Sequence, residues 1–441
     1  MDAKMTPDAE RAASKAMVHL LPWLLLMYML AYLDRANLGF AKDAFQASTG
    51  LSEAAYAFGV GIFSVAYASI EVPSNILMHR FGARRWLSRI MISWGLVSAA
   101  MAFVHTAEAF YVVRVLLGIA EAGFFPGAIY FLSRWFPDGR RARVLGIFYF
   151  GAPLSFVFGG PLSGLLLDAD GLWGLHGWQW LFLVEGLLAS LVGFFVFFKL
   201  AESPATARWL EPRERQALTA AIAAEDQVKA ASHGVSSVLQ GLLNWRVLYL
   251  AAIYFLIQGC VYGVVYYLPP QIGQLLGMNV GFIVGLVTAV PWACAMLASY
   301  ALPRLAERLG KRRLIASLTM LGAAVGVTLS SLLSSVPLAA LAALCLAVAG
   351  FIAVQPLFWT LPAGYLGGAA AASGLALVNT LGALAGFVAP LYRLWAETHF
   401  GAGAGLYAIG ITTALGAVMI ALAGRVLTPA AARESSGAAP R

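Results

Sequence analysis

The chain has 441 residues, of which 61% are hydrophobic and only 11% are charged. Soluble domains carry about a quarter charged residues, so this composition excludes an ordinary soluble fold. The formal net charge of +8 would fit a nucleic-acid partner, but the positions of the basic residues indicate membrane topology instead.

Twelve apolar runs follow one another along the chain, each long enough for a membrane-spanning helix of about 20 residues. In chain order they cover about 17–38, 54–78, 86–104, 109–133, 142–167, 178–199, 246–269, 280–302, 313–333, 336–361, 370–395 and 403–427. Strand alternation is absent from these runs, so we predict an all-α membrane protein with twelve transmembrane helices. The first run passes into Asp34 and Arg35 without a small-residue cleavage site, and we interpret it as a retained helix rather than a signal peptide.

The distribution of Lys and Arg predicts the orientation of these helices. If the N-terminus is cytoplasmic, 25 of the 29 basic residues fall on the cytoplasmic side, and only Lys42 and Arg393 fall on the opposite side. Arg35 and Arg114 lie inside helices. Because basic residues concentrate in cytoplasmic loops, both termini are predicted to be cytoplasmic in a cell inner membrane. The longest polar stretch, about 201–245, is predicted to be an amphipathic linker at the same surface.

A short motif occurs twice, on either side of this linker. The letters HRFGARR at 79–85 return as ERLGKRR at 307–313, 228 residues later. Two parallel six-helix halves are the design of one large class of transporters. We therefore predict two pseudo-symmetric six-helix bundles, at 1–200 and 246–441, joined by the linker at 201–245.

Six charged residues lie inside predicted spans of the N-terminal half: Asp34, Arg35, Glu71, Arg114, Glu121 and Glu185. A charge within a bilayer costs at least about 2.5–3.5 kcal/mol, so its retention favours a functional role. The C-terminal helices are read as free of charge, with neutral polar groups such as Gln258, Gln355 and Asn379. This asymmetry suggests that one half handles protons or charge while the other half shapes the pocket.

Two pairs of these charges are the strongest functional candidates. Arg114 and Glu121 are seven residues apart, so they share one face of a helix, and a buried acid beside an arginine could load and release a proton. Asp34 and Arg35 are adjacent, so one could face a cavity while the other faces a neighbouring helix. The alternatives are a structural interhelical pair for the first two residues and an interfacial ion pair for the second two.

The remaining candidate residues are mostly interpreted as structural. Glu71 is expected to pair with loop arginines, and Glu185 is also interpreted as structural. Tyr67, one turn before Glu71, is either a cavity hydroxyl or a core residue. The three cysteines, Cys260, Cys294 and Cys345, lie in apolar runs and predict no disulfide. The six histidines have no metal-ligand spacing, so neither a metal nor a cofactor is predicted.

Five motifs together resemble the anion:cation symporter family of the major facilitator superfamily. They are YLDRAN at 32–37, EVPSN at 71–75, RFGAR at 80–84, RVLLGIAEAGFFPG at 114–127 and PLFWTLP at 356–362, with Asn379 following. The resemblance spans nearly the whole chain and is weakest in the linker and the tails. It implies a rocker-switch carrier for organic anions such as hexonates, hexuronates, tartrate, phthalate or hydroxyphenylacetate, coupled to protons.

The resemblance also implies residue roles. Asp34 and Glu121 match acids associated with proton coupling. Arg35 matches an arginine associated with the substrate carboxylate, and Arg114 matches one that tunes the acid. Positions that line the substrate site in the family match Tyr67, Trp359 and Asn379.

One departure from the superfamily pattern concerns the loop after the second helix. His79 stands where the superfamily motif usually has an acid, whereas the second copy keeps Glu307. The loop arginines of the first copy are therefore expected to pair with Glu71 or Asp138 instead, which leaves the usual gating salt bridge in doubt.

The leading hypothesis is import of a sugar acid, dicarboxylate or aromatic acid by proton symport. An anion exchanger or exporter on the same fold is the main alternative, and sodium coupling is a second one. A membrane enzyme or receptor is disfavoured because no nucleophile, metal set or nucleotide loop is recognisable. A single chain with two halves suffices for transport, so a functional monomer in the lipid bilayer is expected, with no nucleic-acid partner.

Overall fold

A computed structural model describes residues 5–232, 244–365 and 368–427, with the backbone alone at 138, 139, 142, 226–232, 362–365, 368–373 and 376. The regular elements in these residues are helices. They are α1 (Pro7–Thr49), α2 (Glu53–Phe81), α3 (Ala83–Ala100), α4 (Ala107–Glu121), α5 (Phe124–Ser133), α6 (Asp138–Tyr149), α7 (Gly151–Leu167), α8 (Gly177–Lys199), α9 (Pro212–Ser232), α10 (Trp245–Val265), α11 (Leu268–Leu276), α12 (Phe282–Leu309), α13 (Arg312–Leu332), α14 (Pro337–Tyr365), α15 (Gly368–Ala383), α16 (Ala385–Phe400) and α17 (Ala404–Leu427). Short 3₁₀ turns occupy Met101–Phe103, Leu172–Gly174 and Pro204–Thr206.

Twelve helical stretches in the described residues are long and apolar enough to cross a membrane. Their number and order confirm the predicted all-α architecture. Three of them join two α-helices across a break. Helices α4 and α5 form the span Ala107–Ser133, the end of α6 and α7 form Arg143–Leu167, and the end of α15 and α16 form Leu377–Phe400. The apolar pattern predicted these spans but not the breaks within them.

Helix α1 is much longer than the apolar run that predicted it. The Thr6 hydroxyl accepts a hydrogen bond from the Ala9 amide, and Pro7 occupies the first helical position, where a missing N–H does no harm. At the other end Gly50 has φ 70°, a left-handed conformation that stops the helix. The capped helix therefore extends beyond the apolar run in both directions.

Two compact units make up the described chain. The first comprises 5–232 together with 266–274 and 278–289, and the second comprises the remaining described residues. Helix α9 lies within the stretch expected to be a linker, yet it belongs to the first unit, where Leu218 and Ile222 are buried in the same core as Leu20. The apolar side of this amphipathic helix explains its docking, because burying it removes apolar surface from water.

The duplicated motif occupies the same local structure in both units. In the first copy Gly82 has φ 90° and separates α2 from α3. In the second copy Gly310 has φ 63° and lies between α12 and α13. A positive φ is accessible to glycine at little cost, so this residue makes the tight turn between two helices possible in each copy.

Two basic residues that were counted as loop residues lie inside helices instead. Lys42 is buried in α1, 2.6 Å from Glu53, and Arg393 is buried in α16, 3.0 Å from Glu397. The Arg393 guanidinium also donates to the Gly263 carbonyl at 2.8 Å. The prediction that the C-terminal spans are free of charge is therefore wrong at α16, where an ion pair one helical turn apart offsets the desolvation of the arginine.

Candidate functional site

The interior of the first unit contains an ion pair between α1 and α4. Arg35 donates from its terminal nitrogen to Glu121 Oε1 at 2.5 Å. The Glu121 side chain is fully buried, whereas 18% of the Arg35 side chain is exposed. One partner of this pair is therefore accessible while the other is enclosed by protein.

Aromatic rings surround the Arg35 guanidinium. Its carbon lies 5.1 Å from the ring centroid of Tyr32, 5.7 Å from that of Tyr67 and 5.8 Å from that of Phe63. Rings at this range attract a cation through their quadrupole. Tyr67 is thus a neighbour of Arg35, as expected for a residue of the same site, and Phe63 is a neighbour that the sequence did not single out.

Close packing of α4 against α2 places Glu121 beside this cluster. A Cβ added at Gly118 would lie 2.6 Å from the Phe63 carbonyl oxygen, so only glycine permits the approach. Helix α4 ends at Glu121, and Gly123, with φ 87°, precedes α5. The Ala122 carbonyl at this break accepts a hydrogen bond from the Ser74 hydroxyl at 2.6 Å, which satisfies a backbone group that the interrupted helix leaves open.

Arg114 lies in α4 with Glu121, but its hydrogen bonds go elsewhere. Its Nε donates to the Gly59 carbonyl at 3.1 Å and a terminal nitrogen donates to the Val60 carbonyl at 3.4 Å. Its guanidinium carbon is 4.7 Å from the Phe63 centroid. Arg114 is therefore anchored to α2 and contributes positive charge near the acids through space.

Asp34 faces α3, whereas Arg35 faces α4. The Ser98 hydroxyl donates to Asp34 Oδ1, and the Asp34 residue is only 6% exposed. The 100° separation of adjacent residues on a helix accounts for the two directions. Both side chains contact neighbouring helices in the bundle interior, as buried charges require.

Glu185 forms a second polar cluster with α7 and α1. Its Oε1 accepts a hydrogen bond from the Ser163 hydroxyl at 2.9 Å. Asn37 lies beside Glu185 and Trp94 lies beside Asp34, although neither side chain reaches hydrogen-bond geometry within the described residues. Asn37 lies in the YLDRAN motif, which could have identified it as a residue of the site. Nothing in the sequence distinguishes Ser98 or Ser163 from other serines.

The expected partner of the loop arginines is not Glu71. That residue is buried in α2, and within the described chain it forms no ion pair with them. The side chain of Asp138, the other candidate, lies outside the described residues. Glu202 instead lies at this turn, and its carboxylate accepts the Ala83 amide at 2.7 Å and the Arg84 amide at 3.0 Å.

The two candidates from the C-terminal half lie in the second unit. The Trp359 ring packs 4.8 Å from the Tyr254 ring, which also stacks on Phe358 at 5.2 Å. Asn379 is half-buried on α15. Helix α15 packs against α10, and Trp359 packs against the same helix. The first unit thus contains Asp34, Arg35, Tyr67, Arg114 and Glu121, and the second unit contains an aromatic cluster with Trp359 and the neutral amide of Asn379.

A carrier of the two-bundle type is the class of protein that these features define: twelve apolar helices, a duplicated turn motif and an acid–arginine cluster within the spans. Residues 24–390 match the model of the Major Facilitator Superfamily. The chain belongs to this superfamily and is a membrane transporter rather than an enzyme. The superfamily that the sequence resemblance indicated is confirmed.

Two relatives and one solved structure are similar to this chain over more than nine-tenths of its length. The inner membrane transport protein RhmT of Escherichia coli (strain K12) is 47% identical over 412 residues, which cover 93% of this chain and 95% of the relative. A putative tartrate transporter of Agrobacterium vitis is 39% identical, with coverage of 96% and 94%. The xylose transporter XylE from E. coli, in a partially occluded inward open conformation, superposes with a TM-score of 0.73 at 16% identity, covering 92% of this chain and 97% of XylE. That likeness shows the fold alone.

Proposed function

We propose that the protein imports a small organic anion together with protons across a bacterial inner membrane, by alternating access. The anion is a sugar acid, a dicarboxylate or an aromatic acid. A relative named as a tartrate transporter supports a carboxylate substrate. The observation that carries the proposal is the 2.5 Å ion pair between the partly accessible Arg35 and the fully buried Glu121.

Competition for one guanidinium couples the anion to the proton. While Glu121 is ionised, it occupies the Arg35 donors that a substrate carboxylate would need. A proton on Glu121 removes that negative charge and releases Arg35 to bind the substrate. Loss of the proton on the cytoplasmic side restores the Arg35–Glu121 pair and displaces the anion.

Asp34 is the second proton-carrying group in this proposal. It is buried beside Ser98 and adjacent in sequence to Arg35, so its charge affects the same cluster. If both acids carry protons, a monoanion enters with a net charge of +1, and each charge crossing 100 mV contributes about 2.3 kcal/mol. If one acid carries a proton, import is electroneutral and is driven by pH and concentration gradients alone.

The other candidates position and line the site. Arg114, held by the carbonyls of Gly59 and Val60, tunes the acids by fixing a positive charge near them. Tyr67, Trp359 and Asn379 line the substrate site. The chain functions as a monomer, because one chain supplies both units.

The test is uptake of labelled tartrate and a labelled hexonate into proteoliposomes with an imposed inward proton gradient. Glu121→Gln cannot carry the coupling proton, so it is expected to lose at least about tenfold in concentrative uptake while retaining exchange of labelled for unlabelled substrate. Glu108→Gln is the matched control, because Glu108 is an exposed acid in the first turn of the same helix.

Three other results would contradict this proposal. Accumulation by Glu121→Gln at the wild-type level would make Glu121 a structural residue. Wild-type uptake that requires a trapped counter-substrate would establish an exchanger, and uptake that follows sodium at fixed pH would replace the proton with sodium.

A further inference from the structure

The turn between α2 and α3 carries an unusual set of arginines, which we call the arginine patch: Arg80, Arg84, Arg85 and Arg89. Within the described residues, none of these four side chains forms an ion pair or donates a hydrogen bond. The Nε atoms of Arg84 and Arg89 are buried without an acceptor. A buried charged donor without an acceptor is costly, and among the described residues the patch has no anionic partner.

The second copy of the motif is built differently. There Glu307 lies 3.9 Å from Arg312, so the motif supplies its own counter-charge. In the first copy His79 replaces the acid, and its ring packs 4.2 Å from that of Tyr130. Glu202, the carboxylate at the first turn, accepts two backbone amides at the start of α3 and so compensates the helix rather than the guanidinium groups.

Aromatic rings hold the patch in place. The Arg89 guanidinium carbon lies 4.0 Å from the Trp86 ring centroid, and that of Arg84 lies 5.2 Å from the Phe197 centroid. Trp86 is itself fixed, since its indole nitrogen donates to the Ser74 hydroxyl at 3.0 Å and its ring stacks on Phe81. Arginines packed flat on rings keep their N–H groups available in the plane, where they can bind an anion in a bidentate manner.

An exposed apolar stripe on α8 ends beside this patch. Its members repeat at helical spacing on one face and lead to the exposed Lys199: Leu187, Leu191, Phe194 and Phe198. Helix α8 packs closely on α3, because a Cβ at Gly193 would lie 2.6 Å from the Met91 Cβ. Basic groups at the end of an apolar, membrane-facing stripe match an amphiphile with a negative head.

We propose that the arginine patch is a binding site for the headgroup phosphate of an anionic phospholipid, whose acyl chain lies along the exposed stripe of α8. Positive charge, aromatic support and an adjacent apolar track are all present within the first unit. The proposal is independent of the transported substrate, since it uses none of the residues assigned to transport.

The test uses the full-length chain purified in a neutral detergent. Phosphatidylglycerol is titrated, and binding is followed by native mass spectrometry and by the thermal unfolding midpoint. Phosphatidylcholine with the same acyl chains tests the need for net negative charge, and glycerol 3-phosphate separates a lipid site from a site for free phosphate. Each arginine near an anionic lipid is worth roughly fivefold in affinity, so Arg84→Gln/Arg89→Gln is expected to weaken phosphatidylglycerol binding about 25-fold.

Arg308→Gln/Arg312→Gln, in the second copy, is the matched control and is expected to leave this binding unchanged. If the first double variant does not accumulate, Arg89→Gln alone is expected to lose about fivefold. Arg84→Lys/Arg89→Lys keeps the charges but loses the bidentate geometry, so it is expected to lose binding by less than about 25-fold. Equal losses in both copies, equal binding of phosphatidylcholine, or unchanged binding in the Arg84/Arg89 variant would overturn the proposal and leave the arginines as determinants of topology. Glycerol 3-phosphate binding as tight as the lipid would overturn the acyl-chain contact.

Discussion

Arg35 is the residue around which the charged cluster of the first unit is arranged. The helix-face argument directed attention to Arg114 as the partner of Glu121, since the two residues lie in one helix. In the structure the direct partner is Arg35, which is 86 positions away in sequence, while Arg114 bonds to carbonyls of α2. Periodicity within one helix identifies which residues share a face, but it contains no information about which neighbouring helix that face meets.

Glu214 joins α9 to α1 through a contact that the sequence did not predict. Its carboxylate lies 2.7 Å from the Lys15 ammonium and accepts the Glu211 amide at 3.0 Å. The hydrogen bond from Lys15 lowers the pKa of Glu214 below its ordinary value near 4.5. Because α9 and α1 are joined by this contact, the ionisation of Glu214 is linked to the docking of α9.

Glu214→Gln is therefore expected to reduce thermal stability in a pH-dependent manner. A carboxylate with a lowered folded pKa stabilises fully above its unfolded pKa, and this contribution is lost as the pH falls through the folded value. The difference in unfolding midpoint between wild type and variant should be fully present at pH 7, begin to shrink near the unfolded pKa of about 4.3, and vanish as the pH falls through the lower folded value. Differential scanning fluorimetry in detergent measures it, with Glu211→Gln as the control because Glu211 is more exposed and lies 3.8 Å from Lys15. A gap that persists unchanged in acid would contradict the linkage.

Contact between α3 and α8 depends on the absence of side chains. A Cβ at Gly186 would lie 2.5 Å from the Ala99 amide nitrogen and 2.7 Å from the Gly95 carbonyl oxygen. Small residues let membrane helices approach to backbone contact, and van der Waals packing drives association where the hydrophobic effect is weak. The sequence contains 45 glycines, but which pairs of helices meet at each glycine follows only from the tertiary structure.

Gly186→Ala is expected to destabilise the protein by about 1–3 kcal/mol, because the added methyl group meets backbone atoms that cannot move independently. Gly322→Ala is the matched control. There the nearest atom to an added Cβ is Leu346 Cδ1 at 3.6 Å, an ordinary contact, and alanine favours the helix by up to about 1 kcal/mol. Unfolding midpoints of the two purified variants measure the difference. Equal midpoints would show that α3 and α8 can separate without loss.

The broken span formed by α4 and α5 illustrates a limit of element prediction. The apolar run at 109–133 predicted one continuous helix. The structure ends α4 at Glu121 and satisfies the open Ala122 carbonyl with Ser74 from α2. Gly123 and Pro126 are local signals for such a break, because Pro126 has no N–H to bond the Ala122 carbonyl four residues earlier. Only the tertiary structure shows that the donor for this carbonyl is Ser74, 48 residues away.

At the scale of the whole molecule, the two copies of the duplicated motif share one local structure. Both copies form a helix, a glycine with positive φ and a second helix. The copies differ where one keeps an acid and the other has His79, and this difference leaves one set of arginines unpaired within the described residues.

Orientation in the membrane is a prediction for the whole chain. A fluorescent protein that folds only in the cytoplasm, fused after Arg441, is expected to fluoresce, and alkaline phosphatase fused at the same position is expected to be inactive. The physical reason is the strong excess of Lys and Arg in the loops assigned to the cytoplasm. Phosphatase activity at the C-terminus would reverse the orientation, and with it the direction assigned to proton release.

The sequence by itself determined the class of protein, the number of spans, the duplicated turn motif and which charged residues lie within the apolar runs. Apolar runs, repeated letters and charges within apolar runs are one-dimensional signals that need no knowledge of contacts. The tertiary structure alone decided the partners: Glu121 with Arg35, Arg114 with α2, and Glu202 with the start of α3, at separations of 86, 55 and 119 positions. Hydrogen bonds and ion pairs act over a few ångströms in space, so which groups satisfy one another is settled only when the helices pack.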